Sequence, residues 1–135
     1  MIPSKGVTIM NIKEASEKTG VSADTIRYYE RIGLIPRVSR NENGVRKFDD
    51  EDLRWIDFSR QMRRAGISIE ALIDYLSLFR EGEKTLEPRM ELLKEQRAEL
   101  KERIDMMQEV LERLDFKIEN YDTHLIPAQK RLKEF

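Results

Sequence analysis

The ten residues Arg27–Pro36, RYYERIGLIP, hold two of the chain's four tyrosines side by side next to an arginine, just ahead of a glycine and a proline. Ile26, Tyr29 and Ile32 recur at helical spacing and define the inward side of a short helix, which leaves Arg27 and Tyr28 on the outward side. Gly33 can turn the chain with positive φ, and Pro36 cannot continue a helix. Upstream, Ser22 caps this helix and Asp24 sits in its first turn, where the helix dipole favours an anion. Before Gly20 lies another two-turn helix, opened by Asn11 and Glu14 as a capping box, with Ile12, Ala15, Ser16 and Thr19 on its inner side. Helix, glycine turn and serine-capped helix together outline a helix-turn-helix.

Downstream, Arg37–Phe48 reads as two short strands, VSR and VRKF, around NENG, with Asn43-Gly44 as the hairpin signal. The run Asp49–Asp52 stands directly before Leu53, Ile56, Phe58 and Met62, so it reads as an acidic cap and first turn of a third helix. Gly66 ends that helix. Ser68 caps a fourth, whose apolar stripe is Ile69, Leu72, Ile73, Leu76 and Phe79, and Gly82 closes the compact part.

From Leu86 onward the pattern changes to alternating steps of four and three. Leu86, Met90, Leu93, Arg97, Leu100, Ile104, Met107, Leu111, Leu114, Ile118 and Tyr121 form a heptad seam, ten of whose eleven positions are apolar. Such a helix would be about 54 Å long, more than a head of this size can cover, so the expected cover is the same helix of a second copy. Arg97 is the one charge in the seam; it either snorkels outward or meets a partner carboxylate. Periodicity leaves parallel and antiparallel pairing open. Pro127 is expected to end the helix before the tail IPAQKRLKEF.

The expected organisation is thus a lead-in over residues 1–9, a head over 10–82, a coiled-coil helix over 83–122, and a tail over 123–135 as a candidate effector region. Charged residues make up 38% of the chain, a balance typical of solvated helices. The absence of cysteine removes disulfides and thiolate metal sites, and the lone His124 cannot make a metal centre by itself. No cofactor or metal is expected, and no membrane span or secretory leader is legible, which points to a cytoplasmic protein. No nucleophile–base pair or phosphate-cradling glycine loop suggests an enzyme. Although the net charge is −1, residues 1–48 carry nine Lys/Arg against five Asp/Glu, so the basic end is the N-terminal one.

That charge distribution, on a helix-turn-helix outline, points to double-stranded DNA. Ser22, Ala23, Thr25, Arg27 and Tyr28 offer hydroxyls for phosphates and an arginine able to grip guanine or phosphate. Arg37, Arg40, Asn41, Arg46 and Lys47 would lie along phosphates as a wing, and Lys18, Arg63 and Arg64 complete the candidate contact set. The alternative is a coiled-coil adaptor whose basic head binds a protein.

The runs NIKEASEKTGVSADTIRYYERIGLIP and NENGVRKFDDEDLRWI resemble the DNA-binding head of the MerR family of bacterial transcription regulators, and the coiled coil extends the likeness to about residue 121. The resemblance implies a mainly α fold with a winged helix-turn-helix head and an antiparallel coiled-coil homodimer. It further implies binding to a pseudo-palindromic promoter, with the duplex bent and untwisted so that RNA polymerase can use misplaced promoter elements. It also implies that Arg27 and Tyr28 touch the DNA backbone. Two departures stand out: Val45 and Phe48 occupy wing positions where many members have tyrosines, which shifts phosphate contacts to Arg46 and Lys47, and the usual helix-one alanine is Ser16. Metal-sensing, iron–sulfur and aldehyde-responsive members depend on cysteines, which this chain lacks, so the signal is expected to be a non-metal one. Candidate effector residues, where the fourth helix meets the end of the partner's coil, are Tyr75, Phe79, Phe116, Tyr121 and His124.

Overall fold

Asn11 opens the first helix, α1 (Ile12–Thr19), with its side chain accepting from the Glu14 N–H at 2.9 Å while Glu14 accepts from the Asn11 N–H at 3.0 Å. This reciprocal pairing satisfies two of the N–H groups that every helix start leaves without an intrahelical partner. At the other end, Gly20 adopts φ 76°, a left-handed conformation that costs a β-carbon-bearing residue free energy. Ser22 then caps α2 (Ala23–Ile32) through the Thr25 N–H. The structure, a computed structural model, describes residues 9–121; residues 1–8 of the lead-in expected over 1–9, and the whole tail expected over 123–135, with His124 and Pro127, lie outside them.

A two-stranded antiparallel hairpin follows, β1 (Ser39–Arg40) and β2 (Arg46–Lys47), paired Ser39 with Lys47 and Arg40 with Arg46. The strands are shorter than the sequence pattern suggests, and the NENG loop expected between them is not closed by Asn43-Gly44 alone. Instead the Gly44 N–H donates to the Asn41 carbonyl, Gly44 takes φ 79°, and the Asn41 side chain accepts from the N–H groups of Asn43 and Val45. That is the longer hairpin loop in which a turn is followed by a left-handed glycine. Beyond the wing, Phe48 exchanges both backbone hydrogen bonds with Met10, at 2.7 and 2.8 Å, which ties the start of the head to the end of the hairpin.

Helix α3 (Asp50–Arg64) begins with a second capping box, Asp49 with Asp52, as the acidic run suggests. The cap at its far end is Ala65, with Gly66 next at φ 90°, and Ser68 caps α4 (Ile69–Arg80). Two clusters hold the head together. One joins Met10, Ala15, Val21, Ile26, Ile35, Val38, Phe48 and Ile56; the other joins Leu34, Ile67, Ala71 and Leu72, with Tyr29 packed against both. Tyr29, the second tyrosine of the opening stretch, is therefore a packing residue, while Tyr28 beside it is 39% exposed. Ser59, fully buried, donates its hydroxyl to the Leu34 carbonyl and so pins α3 to the end of the α2 turn.

Glu83–Thr85 forms a short 3-10 turn after Gly82, where the Thr85 hydroxyl hydrogen-bonds the carbonyls of Leu78 and Gly82. Helix α5 (Leu86–Glu119) then runs for 34 residues, beginning three residues later than the expected coil and ending two residues before Tyr121, the last seam position. The chain divides into two units, one reaching Gln96 and the other beginning at Arg97. In the second unit every seam residue except Leu100 is exposed, up to 71% at Ile118. None of the residues of α5 is buried. No helix among the described residues is long and apolar enough to cross a membrane.

Candidate nucleic-acid interface

The outward side of α2 carries the first set of candidate residues. Ser22 spends its hydroxyl on the cap, accepting from the Thr25 N–H at 3.1 Å and donating to the Thr25 hydroxyl at 2.8 Å, so both groups are held in place at the helix start. Ala23, behind them, is partly buried. Arg27 pairs with Asp24 at 2.9 Å, with nearly the whole Asp24 side chain in solvent. An exposed pair of this kind contributes little, roughly 0.2–1 kcal/mol, so Arg27 can exchange its carboxylate for a phosphate at small cost. Tyr28 lies under the Arg31 guanidinium, 5.3 Å from ring centre to charge. Lys18 is exposed at the end of α1.

Helix α2 and the wing enclose an open cleft of about 640 Å³ lined by Arg27, Arg31, Arg37, Arg40, Arg46 and Arg80, with Glu30 as the one acid among its charged walls. Sequence reasoning singled out four of these arginines; Arg31 and Arg80 enter only through the fold, Arg80 from the last turn of α4. A concave surface with this charge raises the local concentration of anions and fits a phosphate backbone.

Glu30 is the residue that sequence reasoning missed. Its side chain is only 7% exposed, and its carboxylate accepts from Arg46 Nε at 2.7 Å and from the Val38 N–H at 2.8 Å, with Arg40 Nη2 at 3.9 Å. Burial pushes this carboxyl upward, yet the hydrogen bonds from Arg46 and Val38 and the charges of Arg46 and Arg40 outweigh it and hold the group below its ordinary value. Arg46, expected to carry phosphate contacts, is thus engaged within the head. Arg40 also donates to the Gly44 carbonyl at 2.9 Å but remains 40% exposed. Asn41 shapes the hairpin loop with its side-chain oxygen, while Arg37 and Lys47 stay exposed. Arg63 donates to the Ile67 carbonyl across the α3–α4 turn, and Arg64 is exposed beside it.

The candidate effector residues belong to different units of the chain, and His124 lies outside the described residues. Tyr75 and Phe79 line a shallow groove of about 250 Å³ with Trp55, Phe58, Glu51 and Arg54, and the Trp55 and Phe79 rings meet edge to face at 5.1 Å. From the sequence Phe58 reads only as an apolar position of the third helix and Trp55 is not singled out at all, because their adjacency to Tyr75 and Phe79 comes from packing α3 on α4. Phe116 and Tyr121 are exposed in the second unit.

Comparison with known proteins agrees with this geometry. Residues 10–78 match the MerR HTH family regulatory protein model, and residues 53–116 match the family model described as MerR, DNA binding. The chain is 50% identical over 91 residues to the HTH-type transcriptional regulator AdhR of Bacillus subtilis, an alignment that spans 67% of this chain and 65%, just under two thirds, of AdhR. A crystal structure from Listeria monocytogenes, described as a MerR family transcriptional regulator, is 80% identical with a TM-score of 0.84, covering 93% of this chain and 96% of that one. HiNmlR, a MerR family regulator lacking the sensor domain and solved bound to promoter DNA, is 32% identical with a TM-score of 0.77, covering 84% of this chain and 90% of that one. With its helix-turn-helix, wing and long helix in the matched order, the chain belongs to the MerR family of DNA-binding transcriptional regulators, a non-enzymatic class.

Proposed function

We propose that the protein acts as a homodimer joined along α5, binds a pseudo-palindromic promoter with two winged heads, and activates by bending and untwisting the duplex for RNA polymerase. The single observation that carries this reading is α5 itself: 34 residues with an apolar seam and none buried. A seam of this length in water calls for a matching helix, and a second copy supplies one. In this reading Arg27, Tyr28, Arg37, Arg40 and Lys47 grip phosphates, with Lys18 and Arg64 at the margins. Deformation of the duplex between the two heads is offset by the added contacts it allows. The HiNmlR complex with promoter DNA supports the same target for this head. The signal is a non-metal one, consistent with a cysteine-free sequence, and the aromatic groove at Tyr75 and Phe79 is its candidate seat. The site of action is the cytoplasm.

The test is a salt titration of DNA binding. A head that neutralises 6–10 phosphates loses affinity by on the order of 10³–10⁵ between 50 and 200 mM salt. Arg27→Ala is expected to weaken binding to promoter and random duplexes alike and to make the salt slope shallower by about one, with helix content unchanged in circular dichroism. Full-strength binding by that variant in a gel shift removes α2 from the interface.

A further inference from the structure

Among the described residues, Glu30 joins helix α2 to the wing by charge. Its two carboxylate oxygens divide the work: Oε1 accepts from Arg46 Nε at 2.7 Å, and Oε2 accepts from the Val38 N–H at 2.8 Å, at the entrance to β1. The partners are eight and sixteen residues away in sequence, so these bonds fix the direction of the hairpin rather than the shape of the helix. With 7% of the Glu30 side chain and 22% of Arg46 exposed, solvent screens the pair little. Arg40 is differently placed: 3.9 Å from Glu30 and 40% exposed, it can leave for a phosphate, as can Arg37 and Lys47.

For affinity toward any duplex at all, an acid in this cleft is a disadvantage. It cancels one of six arginine charges in a surface whose other groups attract phosphate. Phosphate contacts, however, carry no sequence information; they add affinity for every duplex alike. Discrimination instead depends on holding α2 and the wing in one register, so that base edges and duplex shape are met by side chains in fixed positions. We propose that Glu30 is a specificity-determining positioning residue: it locks the wing to the recognition helix and withholds Arg46 from phosphate, lowering non-specific DNA binding relative to binding at the promoter. The inference rests on the reading that the wing lies along the DNA backbone.

The experiment uses the full chain and two duplexes of equal length: one selected from a random pool by the wild-type protein, and one random. Binding is measured from 50 to 200 mM salt for wild type, Glu30→Gln, Arg46→Gln and the double variant. With Arg46 released, Glu30→Gln is expected to bind the random duplex about 3–10-fold tighter, with a salt slope steeper by about one, and to lose about tenfold of the preference for the selected duplex. Arg46→Gln is expected to keep the wild-type slope while also losing preference, and the double variant to return the slope to that of wild type. An unchanged slope and preference in Glu30→Gln overturns the inference. So does a slope shallower by about one in Arg46→Gln, because Arg46 would then already be on a phosphate. Should thermal melting show Glu30→Gln unfolded, Arg46→Gln decides by the same slope criterion. A wild-type chain indifferent to salt is a different failure, since it removes the wing-on-backbone reading and the inference with it.

Discussion

Helices α4 and α5 both carry apolar stripes at helical spacing, yet α4 buries Ala71, Leu72 and Leu76 within twelve residues while α5 buries none of its thirty-four. The difference is one of cover. In the head, α4 finds α3 and the α2 turn: Ile67, Ala71, Leu72 and Leu34 close into one cluster with Phe58 and Met62 against it. Along α5 the equivalent side chains, from Leu86 to Ile118, are exposed in a single chain except for the half-buried Leu100. Helical periodicity thus states that an apolar face exists, and says nothing about whether the same chain or another one covers it. Stability should follow the same division. The head's stability should be independent of protein concentration, and that of the α5 seam should depend on it.

The largest expected effect lies on the seam. Leu100→Lys with Leu111→Lys places two charges where apolar contact is expected, and should leave a 16.1 kDa monomer in sedimentation with promoter binding lost. A dimer that survives both substitutions would break the comparison, because α5 would then not be the element that needs a partner. Next in size is the head core. Phe48, fully buried beside the Met10 bridge, should cost about 3–5 kcal/mol when truncated to alanine, read as the same fall in unfolding free energy at high and low protein concentration. If that loss shrinks with concentration, the head too draws stability from association.

A smaller effect sharpens the picture of the head and depends on pH. Burial, joined by the charges of Asp49 and Glu51, pushes the Asp52 carboxyl from its ordinary 3.8 up to about 6, against the pull of the Asp49 N–H. The folded state therefore binds a proton that the unfolded state has released between about pH 4 and 6. Its contribution is fully present below about pH 4 and is lost as pH rises through about 6. Glu30 runs the other way: its contribution is present above its ordinary 4.5 and is lost as pH falls through its lowered value. In a difference curve, wild type minus Asp52→Asn, melting temperature should fall between pH 4 and 6 and level off above. A flat difference would mean that the capping box holds Asp52 no differently from an unfolded chain.

Much of the head was legible because its decisive contacts are local. The caps at Asn11, Ser22, Asp49 and Ser68 each reach three residues ahead, a distance that sequence shows directly, and Gly20 and Gly33 take the left-handed conformation their positions require. The RYYE run also divided as its helical spacing suggested, Tyr29 inward and Tyr28 outward. The wing was less legible. Donors counted one by one suggested five phosphate ligands and did not reveal that Arg46 Nε also meets Glu30 within the fold, or that the Asn41 oxygen accepts from its own loop. The strands shrank to two residues each once Asn41 and Gly44 widened the loop between them.

By itself, the sequence determined the order of helices, the caps that start α1 to α4, the glycine turns after α1 and α2, the basic N-terminal end and the heptad seam, since each is written in residues a few positions apart. Only the tertiary structure decided that Glu30 would join Arg46 and Val38, that Arg31 and Arg80 would enter the basic cleft, and that Trp55 and Phe58 would meet Tyr75 and Phe79. Those meetings bring together residues distant along the chain, and their geometry is set by how helices and hairpin pack around Tyr29, Leu34 and Phe48 rather than by any local preference.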